Sequence, residues 1–266
     1  MVGRREFSER YGPWALITGG SEGLGRAFAE QLADRGLNLL LVGLDDPALP
    51  RAASELAARG VQVRTLGLDL TAPDAAGQVI GAASGLEVGL VVSSTALVVH
   101  GEFLGRPVSD LLGAVDVNCR VPLTLCHHFA GGMRRRGRGG LVLLTSMAGR
   151  QGAARVATYA ATKAYNWVLG EGLWEELREH GVDVLACAPG LTRTETLQRS
   201  GANVVGSQAP LQDPEEVVRE ALEALGQRPY HITGRLNRAS AALLGKLLPR
   251  PWSVRLVGRS MRDLYP

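Results

Sequence analysis

Aromatic side chains are scarce, making up 5% of the 266 residues. No basic face interleaves with them, which excludes the stacking surface of a nucleic-acid binder. Charge of one sign is also lacking. A net charge of +3 and a pI near 9.0 are mildly basic and do not by themselves require a polyanionic partner. There are three cysteines, Cys119, Cys126 and Cys187. Each lies in an apolar segment without metal-ligand spacing, so reduced, packed thiols in a cytoplasmic protein are expected. His127 and His128 lack a third ligand at suitable spacing, so no metal site is expected. No apolar run approaches the ~18 residues that span a membrane. The N-terminal MVGRREFSERYGPW has no apolar signal-peptide core. Linkers and low-complexity segments are missing, so one domain over 1–266 is expected.

What is present is a recurring unit. EQLADRG leads into LNLLLVG, SELAARG into VQVRTLGL, and WEELREHG into VDVLACA. Glycine after the last helical residue is a left-handed C-cap. The runs that follow are continuous rather than alternating, as in strands covered on both faces. WALIT at 14–18, VGLVVSS at 88–94 and GLVLLTS at 140–146 are further runs of this kind. Strands alternating with helices imply βαβ units and an α/β, doubly wound parallel sheet.

The first strand enters ITGGSEGLG. Gly19, Gly23 and Gly25 allow a tight turn and close backbone approach to a pyrophosphate at a helix N-terminus. Thr18, Ser21, Glu22 and Leu24 complete the candidate loop. The spacing is G-x-x-x-G-x-G. The second strand ends in LLLVGLDD, where the adenosine ribose is read in such folds. No arginine stands there to pair a 2′-phosphate, and Asp45 and Asp46 would repel one. The lean is towards NAD over NADP, with Leu44 and Asp45 as candidate contacts. A solvated loop before a helix starting at Pro47 is the alternative for both aspartates. After the third strand, Asp69 offers an acceptor for the adenine amino group, with Leu70 beside it.

Tyr159 and Lys163 are one helical turn apart and share a face. An ammonium beside a phenol favours the phenolate and lowers its pKa, so the pair reads as a tuned acid/base. A solvated tyrosine and lysine on an amphipathic helix is the alternative. In VNCRVPLTL, Pro122 removes the helical bond to the carbonyl of Asn118, freeing that carbonyl and kinking the helix. The other reading places Pro122 in the first turn of a helix beginning near residue 120.

TGGSEGLG at 18–25, Asp69, Asn118, Ser146, YAATK at 159–163 and PGLTRT at 189–194, in this order and spacing, resemble the short-chain dehydrogenase/reductase family over roughly residues 12–195. The resemblance implies a Rossmann-like fold with a C-terminal helical extension, binding NAD or NADP. It implies Tyr159 as proton donor or acceptor at a carbonyl or hydroxyl oxygen. It implies Lys163 on the nicotinamide ribose, Ser146 on the substrate oxygen, and Asn118 holding a water linked to Lys163. Pro189 and Gly190 would turn the chain over the nicotinamide, with Thr194 at the carboxamide and Thr192 close by. Residues 191–212 correspond to a substrate lid. The chain departs from the family where Asn-Asn-Ala-Gly is usual: Ser93, Ser94, Thr95 and Ala96 stand there instead. The implied activity is interconversion of a secondary alcohol and a ketone, with a small-molecule substrate and a homodimer or homotetramer.

The tail, about 235–266, combines apolar residues with Arg235, Arg238, Lys246, Arg250, Arg255, Arg259 and Arg262. Packing over the substrate pocket or on another subunit is the favoured reading, and peripheral contact with an acidic membrane the alternative. Loosely, the tail also resembles family members acting on lipophilic acyl, polyketide or steroid-like carbonyls. A redox-neutral dehydratase or epimerase, or a non-catalytic nucleotide-binding regulator, are the competing functions.

Overall fold

The computed structural model describes residues 4–204, 210–246 and 248–265. Helix α1 (Arg4–Tyr11) precedes β1 (Trp14–Thr18), α2 (Gly23–Asp34), β2 (Asn38–Gly43), α3 (Ala48–Ala57), β3 (Val63–Gly67) and α4 (Ala75–Ala82). There follow β4 (Val88–Ser93), α5 (Val108–Val115), α6 (Val121–Arg136), β5 (Gly139–Leu144), α7 (Ala157–Leu177) and β6 (Val182–Ala188). The chain ends with α8 (Glu195–Arg199), α9 (Pro214–Ala224), β7 (Tyr230–Ile232), α10 (Arg235–Lys246) and α11 (Arg250–Leu264). The seven strands form one parallel sheet in the order 3-2-1-4-5-6-7. This is the doubly wound α/β fold expected.

The continuous apolar runs reflect cover on both faces. Ile17, Leu39, Leu41 and Val142 point into a core shared with Phe28 and Leu32 of α2 and Val218 of α9. Their neighbours Leu16, Leu40, Val91 and Leu141 meet Leu125 and Met133 of α6 and Leu177 of α7. Alternate side chains of a strand face opposite sides, so a strand between two helical layers must be apolar at every position. β3 differs from this expectation: it lies at the sheet edge, and Arg64, Thr65 and Gly67 are exposed. The helix-ending glycines Gly36 and Gly181 have φ of +84° and +71°, the left-handed C-caps expected.

The elements without a counterpart in the sequence reading include α1 and β7. α1 is tied to the base of β6 by Asp183, which is 8% exposed. The Asp183 carboxylate accepts from Arg10 Nε at 2.6 Å, Arg10 Nη2 at 2.8 Å and the Tyr11 hydroxyl at 2.7 Å. The half-exposed arginine adds little through screened charge; the buried tyrosine hydroxyl supplies most of the cost of losing the acceptor. Asp183→Ala is expected to lower the unfolding free energy by about 1–3 kcal/mol, read as a lower urea midpoint. Because Asp183 lies at the end of the sheet opposite the cavity described next, dinucleotide affinity should not change.

Candidate active site

The strand order reverses between β1 and β4. Crossovers diverge at such a point and leave a crevice at the C-terminal strand ends. A cavity of about 1090 Å³ opens there. One half is lined by the glycine loop. Gly25 admits nothing larger, since a Cβ there would lie 1.9 Å from the Gly19 carbonyl oxygen. Gly23 has φ of +54°, which favours glycine. Its N–H, at the start of α2, donates to the Glu195 carboxylate at 3.2 Å. An anion thus already sits where the helix dipole and free N–H groups attract one. Glu22 and Arg199 form an ion pair beside it.

Ser21, Glu22, Leu24, Leu44, Asp69 and Leu70 border the cavity. Asp46 does too, whereas Asp45 does not line it and packs over Gly67, 2.8 Å from where a Cβ would stand. Asp69 turns its Oδ1 to Thr71 N and Oγ1, at 2.9 and 2.8 Å. The Ser94–Ala96 turn is held without the usual asparagines. Thr18 Oγ1, itself buried, accepts from Ser94 N at 3.1 Å and Thr95 N at 3.3 Å. Asn118 then grips the next residue but one, accepting from Leu97 N at 2.8 Å and donating to Leu97 O at 2.9 Å. Thr95 Oγ1 is buried with no hydrogen-bond partner among the described residues. The close glycine cradle, the carboxylate stand-in and this orphan hydroxyl fit a bound dinucleotide.

Tyr159 and Lys163 lie in the first two turns of α7, where Ala157, Ala160 and Ala161 keep the face small. Lys163 is 2% exposed. Its Nζ donates to the Leu144 carbonyl at 2.7 Å and lies 5.7 Å from the Tyr159 ring centre. Burial lowers the Lys163 pKa to about 8. The Tyr159 phenol is pushed up to about 12 by burial, opposed by a hydrogen bond with Ser146 and reinforced by neighbouring Tyr265. This differs from the sequence expectation of a lowered phenol: desolvation outweighs the ammonium, which points to a carbonyl. Ser146 follows β5 in extended conformation, and its Oγ accepts from Ala148 N at 3.1 Å.

Pro122 stands in the first turn of α6, as the alternative reading had it, and brings no N–H to the Asn118 carbonyl. Residues Asp116–Arg120 form a π-turn before α6, and the released oxygen accepts from Asn166 Nδ2 at 2.7 Å. Sequence reasoning missed Asn166, although it stands three residues after Lys163 on the same face. Its Oδ1 is buried without a partner among the described residues.

Pro189 and Gly190 line the cavity, and a network that sequence reasoning missed fixes them. Gln212 Oε1 accepts from Gly190 N at 3.3 Å, Thr233 Oγ1 at 2.9 Å and Asn237 Nδ2 at 2.8 Å. Thr192 donates inward to Gly190 O at 3.1 Å, while Thr194 Oγ1 caps α8 by accepting from Leu197 N at 3.2 Å. Of the lid stretch 191–212, residues 205–209 lie outside the described residues, as does the side chain of Lys246 in the tail.

The tail closes the substrate half. Val257, Met261 and Tyr265 pack on Ala153, Val156, Ala160 and Tyr159. Among the described residues no helix is long and apolar enough to cross a membrane, and no cluster of His, Cys, Asp or Glu suits a metal.

A model of the short chain dehydrogenase family matches residues 13–205. A 7beta-hydroxysteroid dehydrogenase of Clostridium sardiniense is 32% identical over 87% of this chain and 89% of its own. A structure solved to explain 7beta-hydroxysteroid dehydrogenase stereoselectivity superposes with a TM-score of 0.88 at 30% identity, covering 94% of this chain and 98% of the other. A short-chain dehydrogenase of Sphingobium yanoikuyae in complex with NADPH has a TM-score of 0.76 at 29% identity, over 89% of this chain and 96% of the other. With its parallel sheet, glycine cradle and Ser146–Tyr159–Lys163 grouping, the chain belongs to the short-chain dehydrogenases, NAD(P)-dependent oxidoreductases that interconvert alcohol and ketone.

Proposed function

We propose that this oxidoreductase prefers NAD(H) and acts on a steroid-sized, lipophilic secondary alcohol or ketone, with Tyr159 as its acid/base. The observation that carries the reading is that Ser146, Tyr159 and Lys163 line one cavity, set where the dinucleotide cradle meets the apolar wall of Val257, Met261 and Leu264. The hydroxysteroid activity of the similar proteins supports the substrate class.

The nicotinamide, when bound, supplies or takes the hydride. The protein supplies position and protons. The Tyr159 phenol is neutral at pH 7, which suits donation to a ketone oxygen. Ser146 Oγ hydrogen-bonds the same oxygen and steadies the charge that develops there. Lys163, charged at pH 7, stabilises the phenolate left behind. Asn118 and Asn166 tie the π-turn before α6 to α7, the helix that carries this lysine. On the cofactor side, Asp46 borders the cavity, where its charge would oppose a 2′-phosphate, and Arg199 is already paired with Glu22.

Other features extend the reading. Burial pushes the thiols of Cys126 and Cys187 up to about 12 and Cys119 to about 11, so all three stay protonated, as suits a cytoplasmic protein. Val108, Leu112, Val115, Tyr165 and Val168 are exposed on α5 and α7 and offer a face for a homodimer or homotetramer. Exposed Leu236, Trp252 and Leu256 beside tail arginines suit peripheral contact with an acidic lipid surface. Residues 1–266 act as one domain in this reading, with 191–212 as the lid.

Tyr159→Phe is expected to lower kcat by about 10²–10⁴-fold with unchanged dinucleotide affinity; near-normal turnover would sink the assignment. In the wild type, kcat for ketone reduction should be level at low pH and fall above about pH 8, because Lys163 is charged only below its pKa. Nicotinamide fluorescence titrations test the cofactor. Asp46→Ala should tighten NADPH binding at least about fivefold by removing like charge, whereas Asp45→Ala should leave it unchanged; the reverse pattern would refute the placement. Glu195→Gln should tighten NADH binding about two- to fivefold, since a charged competitor leaves the α2 N-terminus, and weaker binding would show that Glu195 assists the cofactor instead.

A further inference from the structure

Hydride transfer needs the dinucleotide's reacting ring beside the carbon whose oxygen Ser146 and Tyr159 hold. The chain that borders this end of the cavity is the turn Pro189–Thr192, which follows β6. Leu144 of β5 pairs with Cys187 of β6, so the two strands end side by side. Met147 N, next to Ser146 in the chain, then donates to Pro189 O at 3.0 Å. The turn is therefore part of the wall against which the reacting end of the cofactor must be held.

That turn is fixed from a distant part of the chain. Gln212, which is 8% exposed, does not line the cavity but clamps the turn from behind. Its main chain brackets Thr192: Gln212 N donates to Leu191 O and Gln212 O accepts from Arg193 N, both at 2.9 Å. The excursion of residues 193–211 thus leaves and returns at one place. Its side chain does a different job. Oε1 takes Gly190 N at 3.3 Å together with Thr233 Oγ1 and Asn237 Nδ2 at 2.9 and 2.8 Å, joining the turn to the corner between β7 and α10. Asn237 approaches so closely that a Cβ at residue 190 would lie 2.4 Å from its Nδ2. The corner is held in turn by Glu220 of α9, which accepts from Gly234 N at 3.2 Å and Arg238 Nη1 at 2.6 Å.

An oxygen that takes a backbone N–H and two buried side-chain donors is not merely filling space. Without it these donors lose their partner, and each must find another acceptor or stay unpaired. The Gly190 N–H belongs to the cavity wall, so its search for an acceptor moves the wall. A misplacement of about 1 Å at a reacting centre is enough to cost up to about 10²-fold in rate.

We infer that Gln212 is a positioning residue for the nicotinamide half of the cofactor, acting through the Gly190 N–H and not by touching the cofactor. The inference rests on the roles given above to Ser146 and Tyr159. It is independent of the NAD(H) preference and of the steroid-sized substrate.

Two variants test it. Gln212→Met keeps the length and the main-chain clamp but offers only a weak thioether acceptor, whereas Gln212→Glu keeps a strong one. Calorimetric titration compares NADH with ADP-ribose, which lacks the nicotinamide. Gln212→Met should weaken NADH about tenfold and leave ADP-ribose within about twofold, while Gln212→Glu holds both within about threefold. Asp183→Ala, which loosens the opposite end of the sheet, should leave both affinities unchanged and so shows what a plain loss of stability does. In turnover, kcat of Gln212→Met should fall about tenfold or more with KM for the ketone within about threefold.

Equal loss of NADH and ADP-ribose in Gln212→Met, or no loss of either, would overturn the inference. So would a Gln212→Glu variant as poor as Gln212→Met, because the acceptor would then not be what matters. A wild type that binds NADH and ADP-ribose alike would overturn it as well. If wild type binds NADPH more tightly than NADH, the NAD(H) preference fails, and NADPH against 2′-phospho-ADP-ribose decides the role of Gln212 in the same way. If Tyr159→Phe turns over normally while the binding comparison comes out as expected, the acid/base reading fails and the positioning role stands.

Discussion

A buried ammonium is the constraint around which this site is organised. Lys163 is one of two lysines in the sequence, and 2% of it is exposed. Arginine carries nearly all the positive charge elsewhere, and arginine cannot give up its proton. Only lysine combines a compact charge with a pKa that burial moves into the working range. The cost of that burial is offset by the Leu144 carbonyl at 2.7 Å and by the open side of the cavity. The local backbone follows from it. β5 must end at Leu144 so that its carbonyl faces the lysine, Ser146 must leave the sheet in extended form, and α7 must begin with small residues to approach so closely.

The same electrostatic logic governs the cofactor half. The N-terminus of α2 is held open by Gly23 and Gly25, and its N–H donates to whatever anion is at hand. Here that anion is Glu195, at the start of α8. A carboxylate in place of a phosphate keeps the positive end of the helix satisfied in the protein alone, but it competes with the dinucleotide. The Glu22–Arg199 pair ties α8 to the glycine loop beside it.

The parts legible in the sequence are those whose signals are local or strongly spaced. Helix-ending glycines, apolar runs and the loop at 18–25 located six strands and the crevice. Tyr159 and Lys163 were readable because a helical turn fixes their relation. Asn166 carried a signal at the same helical spacing, yet an asparagine at that place has no meaning until the Asn118 carbonyl is known to need a donor. The Gln212–Thr233–Asn237 network and the Arg10–Asp183 tie join residues 21 to 173 positions apart, with no periodicity to betray them. The phenol's shift ran opposite to expectation because spacing reports neighbours and not desolvation. Asp45 and Asp46 could not be told apart, since which of two adjacent residues faces a crevice depends on the turn between them.

Residues 195–203 and the tail are joined by direct contacts. Helix α8 contacts the glycine loop through Glu195 and Arg199, and the chain just beyond it meets the C-terminus. Asn203 N donates to Leu264 O at 2.8 Å. Tyr265 in turn stacks on His100 and neighbours Tyr159. A displacement of Glu195 from the α2 N-terminus must therefore be absorbed within a few residues of the contacts that close the substrate half. Short helices of this length have little cooperativity of their own, so α8 transmits movement mainly through these end contacts. The His100–Tyr265 stack beside Tyr159 lies at the end of that chain of contacts.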